Sequence, residues 1–194
     1  MSHTMNWHEY FLDMAGFVSS KSKDPSTKCG AVIVSPNNVV LATGYNGFPR
    51  GVREEFSQMR INPQYVVGDP SMRHGEPMHI VETKLDPKRW SRPEKYNWVE
   101  HAERNAIYAA AREGVRLDGA TMYITAEDAK TGAMRRSFPC NDCARAIIQV
   151  GIKTVVWPEG GSEWDANSAY VDMQCLTEQM FSEAGVKIVK HAVI

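Results

Sequence analysis

His101-Ala102-Glu103 and, 35 residues further on, Pro139-Cys140-Asn141-Asp142-Cys143 each open a stretch with helical spacing, and the apolar run Thr121–Thr125 lies between them. The first stretch extends to about Glu113 and stops at Gly114, and the second extends to Val150 and stops at Gly151, glycine being the usual residue just past a helix end. Next come an apolar run Lys153–Trp157, a helical stretch from about Ser168 to Ala184 stopped by Gly185, and a short run Val186–Val189. Strands alternating with helices require crossover connections, so the spacing predicts an α/β fold with a mostly parallel or mixed sheet covered on both faces.

Upstream, Trp7, Tyr10, Phe11, Met14, Ala15, Phe17 and Val18 recur at three and four residues. This predicts an amphipathic helix that packs by that stripe and ends near Ser19–Asp24. Cys29–Val34 and Val39–Gly44 are apolar runs around the turn residues Pro36-Asn37-Asn38, which reads as a β-hairpin. From Phe48 to about Trp98 no period persists, and Pro63, Pro70, Pro77, Pro87 and Pro93 interrupt the chain. So long a stretch inside a compact domain points to a functional insertion, over a site or at a subunit contact, and residues 52–98 are read as a lobe of one domain spanning 1–194.

The length of 194 residues, 43% of them apolar, suits one domain with a full core and an added lobe. Lys plus Arg number 22 against 23 Asp plus Glu, and no basic stripe runs along the chain, which disfavours long nucleic acid as a partner. Residues 1–6 lack a basic segment followed by an apolar one, and no run approaches about 18 apolar residues. The expectation is a soluble cytoplasmic protein without a membrane partner, in the host cytoplasm if the source is viral. Two of the four cysteines form Cys140-x-x-Cys143, a spacing for metal or redox chemistry in a reducing compartment, and Cys29 and Cys175 are expected to be buried thiols.

His101, Cys140 and Cys143 supply the nitrogen and sulfur donors zinc prefers, in the number a catalytic site uses while leaving a fourth position open. Cys140 and Cys143, three apart at a helix start, share one face, and the positive end of the helix favours thiolate over thiol. His101 and Glu103, two apart, point about 200° away from each other on a regular helix. At a first turn, however, side chains lean toward the N-terminal end, so both can reach a site beyond it. The expected chemistry is hydrolytic deamination of an amidine-like ring, with one zinc ion activating water and Glu103 carrying its proton first to a ring nitrogen and then to departing ammonia. Taken singly, a His-x-Glu is most often a helix start and a Cys-x-x-Cys a structural zinc half-site or a redox pair. Together they form the pair of motifs shared by zinc nucleobase deaminases.

Ser22-Lys23-Asp24-Pro25-Ser26-Thr27-Lys28-Cys29-Gly30-Ala31, Gly44-Tyr45-Asn46-Gly47-Phe48-Pro49-Arg50-Gly51, His101-Ala102-Glu103-Arg104-Asn105-Ala106-Ile107 and the segment from Pro139 through Lys153 resemble deoxycytidylate (dCMP) deaminases in order and spacing. The His and Cys motifs identify the wider cytidine-deaminase-like superfamily, and the Gly-Tyr-Asn-Gly and Ile-Ile-Gln-x-Gly-Ile-Lys stretches narrow it. The resemblance implies a three-layer α/β/α domain and conversion of dCMP to dUMP, the route to thymidylate. By the family's pattern Asn46 holds the sugar hydroxyl or base, which suits an amide on a Gly-flanked turn; the alternative is an Asn that shapes the turn. Ser26 and Lys23 are candidates for the nucleotide phosphate, a solvated loop lysine being the alternative for the latter. Many relatives form hexamers switched by dCTP and dTTP with Mg2+, and the Gly44–Gly51 loop resembles the region that carries this regulation. A homo-oligomer and such effectors are therefore implied as well.

Three features depart from the family pattern. Residues Ala126–Phe138 form a longer connection before Pro139 than relatives have, bringing Arg135 and Arg136 beside the ligand cysteines. The aromatic residue that relatives place after the strand ending near Trp157 has no counterpart in Pro158-Glu159-Gly160-Gly161, leaving Trp164 to stack on the pyrimidine or to pack. Some viral relatives bind a second zinc, but here Asp24 and Val99 fall at the corresponding places and His74 and His79 are the nearby histidines, too few ligands for a second site. Competing functions are deamination of another base, such as tRNA adenosine, guanine or cytidine, and a non-catalytic regulatory subunit. The balanced charge opposes a tRNA substrate, and Glu103 opposes a non-catalytic role, since a scaffold needs no proton carrier.

Overall fold

The computed structural model describes residues 4–53, 55–61, 78–160 and 168–192. In chain order the elements are helix α1 (Trp7–Ser19), strands β1 (Thr27–Val34), β2 (Val40–Tyr45), β3 (Glu55–Ile61) and β4 (Met78–Leu85), the short helices α2 (Pro87–Trp90) and α3 (Lys95–Trp98), α4 (Ala102–Arg112), β5 (Thr121–Asp128), α5 (Asn141–Gln149), β6 (Thr154–Glu159), α6 (Ser168–Glu183) and β7 (Lys187–Ala192). The chain divides into two compact units, Met1–Gly47 with Val99–Ile194, and Phe48–Trp98.

The larger unit is built on a five-stranded sheet in the order β2-β1-β5-β6-β7. β1 is antiparallel to β2 and to β5, and β5, β6 and β7 are parallel, with α5 and α6 as the crossovers. Ala31–Val34 of β1 are all buried, as expected of a strand covered on both faces. Alternate residues serve the two faces: Val32 and Val34 pack with Phe11, Leu12 and Ala15 of α1, while Ala31 and Ile33 pack with Ala106 of α4, Ile147 of α5 and Phe181 of α6. One helix on one face and three on the other make the three-layer α/β/α arrangement that the family resemblance implies.

Close approach of helix to sheet explains two glycines in these strands. A Cβ on Gly30 would lie 1.9 Å from the carbonyl oxygen of Ala15 in α1. One on Gly44 would lie 2.3 Å from both the carbonyl oxygen of Ala102 and the nitrogen of Ala106 in α4. Gly44 thus lets the first turn of α4 rest on β2. The three long helices after the lobe end at Gly114, Gly151 and Gly185, which adopt φ of +68°, +80° and +68°.

The structure corrects several expectations. α1 is capped by Asn6, whose side chain accepts from the backbone of His8 and Glu9 while Glu9 reaches back to Asn6. Its apolar stripe is wider than the face the sheet can cover, so Trp7, Tyr10 and Phe17 remain 57%, 45% and 80% exposed and do not pack on it. Cys175 is exposed, not buried, and Cys29 is half-buried. The segment read as lacking regular structure holds the antiparallel hairpin of β3 and β4. A register shift at Gln58/Met59 breaks the two-residue alternation that would have revealed it. Within that unit Phe48 stacks on Trp90 and Trp98, at centroid distances of 4.7 and 6.1 Å, and the Arg89 guanidinium lies 3.8 Å over the Trp98 ring, a small aromatic core of its own.

β5 is also longer than predicted, and the connection after it is ordered. Glu127 bridges to Met134, the Arg135 amide donates to the Ala126 carbonyl, and Asp128 accepts from the amides of Lys130 and Thr131 and pairs with the Arg135 guanidinium. The connection therefore continues β5 as a short ribbon before it reaches Pro139. No helix among the described residues is long and apolar enough to cross a membrane.

Candidate metal centre and active site

The topology sends three chain segments out of the same edge of the sheet: the end of β2, the start of β1 and the end of β5. Such an edge is where open α/β sheets place ligands. Asn46 follows β2, Ser26 precedes β1, and Cys140 follows the ribbon after β5. α4 is drawn to this edge by backbone hydrogen bonds in both directions between Gly47 and Glu100, at 3.1 and 2.8 Å, and by the Asn105 side chain donating to the Tyr45 carbonyl at 2.7 Å.

His101 and Cys140 are the N-caps of α4 and α5, with extended backbones at φ, ψ of −76°, 154° and −68°, 168°. N-caps are normally Ser, Thr, Asp or Asn, whose side chains accept from the helix's own amides. Here neither side chain makes a cap hydrogen bond, and both turn instead toward a common point. The 200° separation expected of His101 and Glu103 on one helix does not apply, because His101 stands outside the helix. Its position is fixed by Glu100, which accepts the His101 amide at 2.9 Å and pairs with Arg104 at 2.5 Å.

His101 Nδ1 lies 3.4 Å from Cys140 Sγ and 3.5 Å from Cys143 Sγ, and the three ligand atoms fall within 4.8 Å of one another. Zinc bond lengths at a tetrahedral angle separate a nitrogen and a sulfur ligand by about 3.6 Å. The spacing therefore suits a zinc ion without rearrangement, and among the described residues this is the group of three that could hold a metal. The protonation pattern agrees. The hydrogen bond from Cys143 pulls the Cys140 thiol well below its ordinary range, the same bond together with burial pushes Cys143 up, and the bond to Cys140 raises His101. The three groups thus shift one another's titration, and a divalent cation bound among them would take the place of their shared protons. Glu103, only 5% exposed, is raised chiefly by burial and lies against Cys143, with His101 and Cys140 close enough to act on its charge.

The other predicted contacts are distributed differently. Asn46 is buried and its amide is engaged inside the chain: Oδ1 accepts from the Cys29 amide at 2.8 Å, and Nδ2 donates to Asp24 Oδ2 at 3.0 Å and to the Thr27 carbonyl at 2.9 Å. Ser26 donates to Asp24 Oδ1 at 2.9 Å, and Lys23 is exposed on the same loop. Asp24, one of the places considered for a second metal, serves this hydrogen-bond knot. Trp164, His74 and the side chain of His79 lie outside the described residues. Sequence reasoning missed Asp24 and Glu100 as supports, although the i, i+4 spacing of Glu100 and Arg104 is a local signal. It also missed Thr177 of α6, whose hydroxyl reaches Pro139 and Asn141 with no such signal. A separate cleft of about 730 Å³, lined by Leu12, Asp13, Glu127, Met134 and His191 among others, opens beside α1, and none of the metal-ligand residues lines it.

A mixed sheet with His and Cys donors paired at two helix N-termini defines a class, the cytidine-deaminase-like α/β proteins. The particular family follows from the sequence: the model of the cytidine and deoxycytidylate deaminase zinc-binding region matches residues 5–159, and the chain belongs to the deoxycytidylate deaminase family. The deoxycytidylate deaminase of Enterobacteria phage T4 is 35% identical over 158 residues, covering 76% of this chain and 75% of that protein. The deoxycytidylate deaminase of Mus musculus is 34% identical over 153 residues, covering 79% of this chain and 65% of that protein, so the chain spans just under two thirds of the length of this relative. The crystal structure of dCMP deaminase from the cyanophage S-TIM5 in complex with dCMP and dUMP shares the fold, with a TM-score of 0.57 at 22% identity over 97% of this chain and 100% of that one.

Proposed function

We propose that this chain hydrolyses dCMP to dUMP and ammonia, with one zinc ion held by His101, Cys140 and Cys143 and with Glu103 as the proton carrier. The observation that carries the reading is the convergence of one imidazole nitrogen and two sulfurs at 3.4 and 3.5 Å beside a buried glutamate, in a member of the deoxycytidylate deaminase family. When bound, zinc supplies Lewis acidity that brings the pKa of a coordinated water to about 7. Glu103 takes a proton from the water that attacks C4 and delivers it to ring nitrogen N3, then takes the hydroxyl proton of the resulting tetrahedral adduct and passes it to the amine, so that the C4–N bond breaks, the carbonyl forms and ammonia leaves. Burial suits the carboxyl to both halves of that exchange. The N-terminus of α5 directs its positive end at the two sulfurs, and bound zinc would hold both as thiolates.

The substrate contacts in this reading rest on the family resemblance. Lys23 and Ser26, on the loop before β1, receive the phosphate. Asn46 keeps one lone pair on Oδ1 for a sugar hydroxyl while its donors hold the loop, and Trp164 stacks on the base. Residues 52–98 and 126–138 are insertions within a single catalytic domain. A homo-oligomer such as a hexamer, dCTP and dTTP as effectors with Mg2+, and a cytoplasmic setting complete this reading and rest on family resemblance and composition. The test is an ultraviolet assay of the zinc-loaded protein on dCMP, CMP, deoxycytidine, cytosine, guanine and adenosine, with and without dCTP. Conversion is expected to be fastest with dCMP, and an untouched dCMP beside turnover of another substrate overturns the assignment.

A further inference from the structure

Helix α6 lies beyond residue 159, where the match to the family model ends, yet one of its side chains reaches the turn that carries a metal ligand. Thr177 is 0% exposed, and its Oγ1 stands 3.1 Å from the carbonyl oxygen of Pro139 and 2.9 Å from Asn141 Oδ1. These residues flank Cys140 on either side. The hydroxyl has one proton, which serves one of the two acceptors at a time. A threonine within a helix commonly turns its hydroxyl back to its own helix's carbonyls; this one crosses to another element.

The helix that carries Thr177 is itself well fixed. Phe181, one turn on, is fully buried in the core that holds Ile147 of α5 and Trp157 of β6, and Glu178 pairs with Lys190 of β7 at 3.2 Å. The ribbon of residues 129–138 ties the connection to β5 as far as Arg135, and the contact from α6 adds an anchor at the ligand turn itself. Cys140 has the extended backbone usual at an N-cap, but its side chain forgoes the cap bond, so its own helix does not fix where Sγ points.

We infer that Thr177 is a positioning residue for the zinc ligand Cys140, clamping the Pro139–Asn141 turn so that Sγ is aimed at His101 Nδ1. The inference rests on the zinc site proposed above. Partners of this kind, one step out from the metal, set ligand orientation, and their removal typically weakens metal binding by about 10–100-fold.

The test compares zinc release to a colorimetric chelator, together with melting temperature, for the wild-type protein, Thr177→Ser, Thr177→Val, Thr177→Ala, Asn141→Ala and Phe181→Leu. Thr177→Val, which removes the hydroxyl at nearly constant volume, is expected to lose zinc about 10-fold faster or more, with Thr177→Ser restored to the wild-type rate. Phe181→Leu, which loosens the same helix without touching the turn, is expected to melt lower while releasing zinc as the wild type does. Wild-type zinc release from Thr177→Val overturns the inference, as does equal acceleration in Phe181→Leu, which would make the effect one of general stability. Should Thr177→Val not fold, Thr177→Ala decides: faster release supports the clamp and wild-type release overturns it, while Asn141→Ala, which leaves the bond to Pro139, is expected to release zinc less quickly than Thr177→Ala. A wild-type protein that takes up no zinc removes the metal site and this inference with it, whereas a zinc-binding protein indifferent to Thr177 removes this inference alone.

Discussion

Two polar clusters sit at the same edge of the sheet and differ in how their atoms are satisfied. Around Asn46, polar groups other than the buried Thr27 hydroxyl find partners within the chain: Asp24 accepts from Ser26, Thr27 and Asn46, the Asn46 amide bonds Cys29 and Thr27, and Ser22 donates to the Asn46 carbonyl at 2.8 Å. At the ends of α4 and α5, His101, Cys140 and Cys143 have one another, and Glu103 is buried with its carboxyl pushed up by desolvation. The first cluster is stable as it stands, whereas the second is arranged around something more. Satisfied buried groups hold a loop, and buried groups whose protonation is displaced mark chemistry.

Substitutions can break that contrast or sharpen it. The largest effect is expected from Glu103→Gln, which should lower turnover by about 10²–10⁴-fold, the range of general acid–base catalysis, while zinc content and melting temperature stay unchanged. Steady-state assays beside elemental analysis check this, and an active variant would place the proton carrier elsewhere. Gly44→Ala comes next: its methyl meets two backbone atoms of α4 at 2.3 Å, so stability should fall by about 3 kcal/mol in denaturant melts and zinc binding should weaken as the first turn of α4 is pushed off β2. Smaller is Asn46→Ala, which strips partners from Asp24 and two backbone groups and should cost about 2 kcal/mol while zinc stays bound. If Asn46→Ala lost zinc and kept its stability, the division between the two clusters would be wrong.

Much of the second cluster was legible in the sequence because its chemistry is local. A His-x-Glu and a Cys-x-x-Cys at helix starts carry donor type, number and spacing within a few residues, and the alternation of strands with helices predicted the covered sheet on which those helices lie. The first cluster was harder to read. Asn46 on a Gly-flanked turn suggests a ligand contact, and only the fold shows that its amide also bonds Asp24, Thr27 and Cys29. Thr177 and Pro139 are 38 residues apart with no shared pattern, so their contact exists only once α6 is packed against α5. The exposed stripe of α1 and the β3–β4 hairpin were misread for the same reason. Hydrophobic spacing reports which residues could be buried, and the breadth of the sheet or a bulge at Gln58/Met59 decides which are.

The central claim is that one zinc ion is held by one imidazole and two sulfurs at the ends of α4 and α5. X-ray absorption at the zinc edge of the purified protein tests it most directly. The account predicts two sulfur neighbours at about 2.3 Å with nitrogen or oxygen neighbours at about 2.0–2.1 Å completing the shell. A shell of four sulfurs, or one without sulfur, would contradict it.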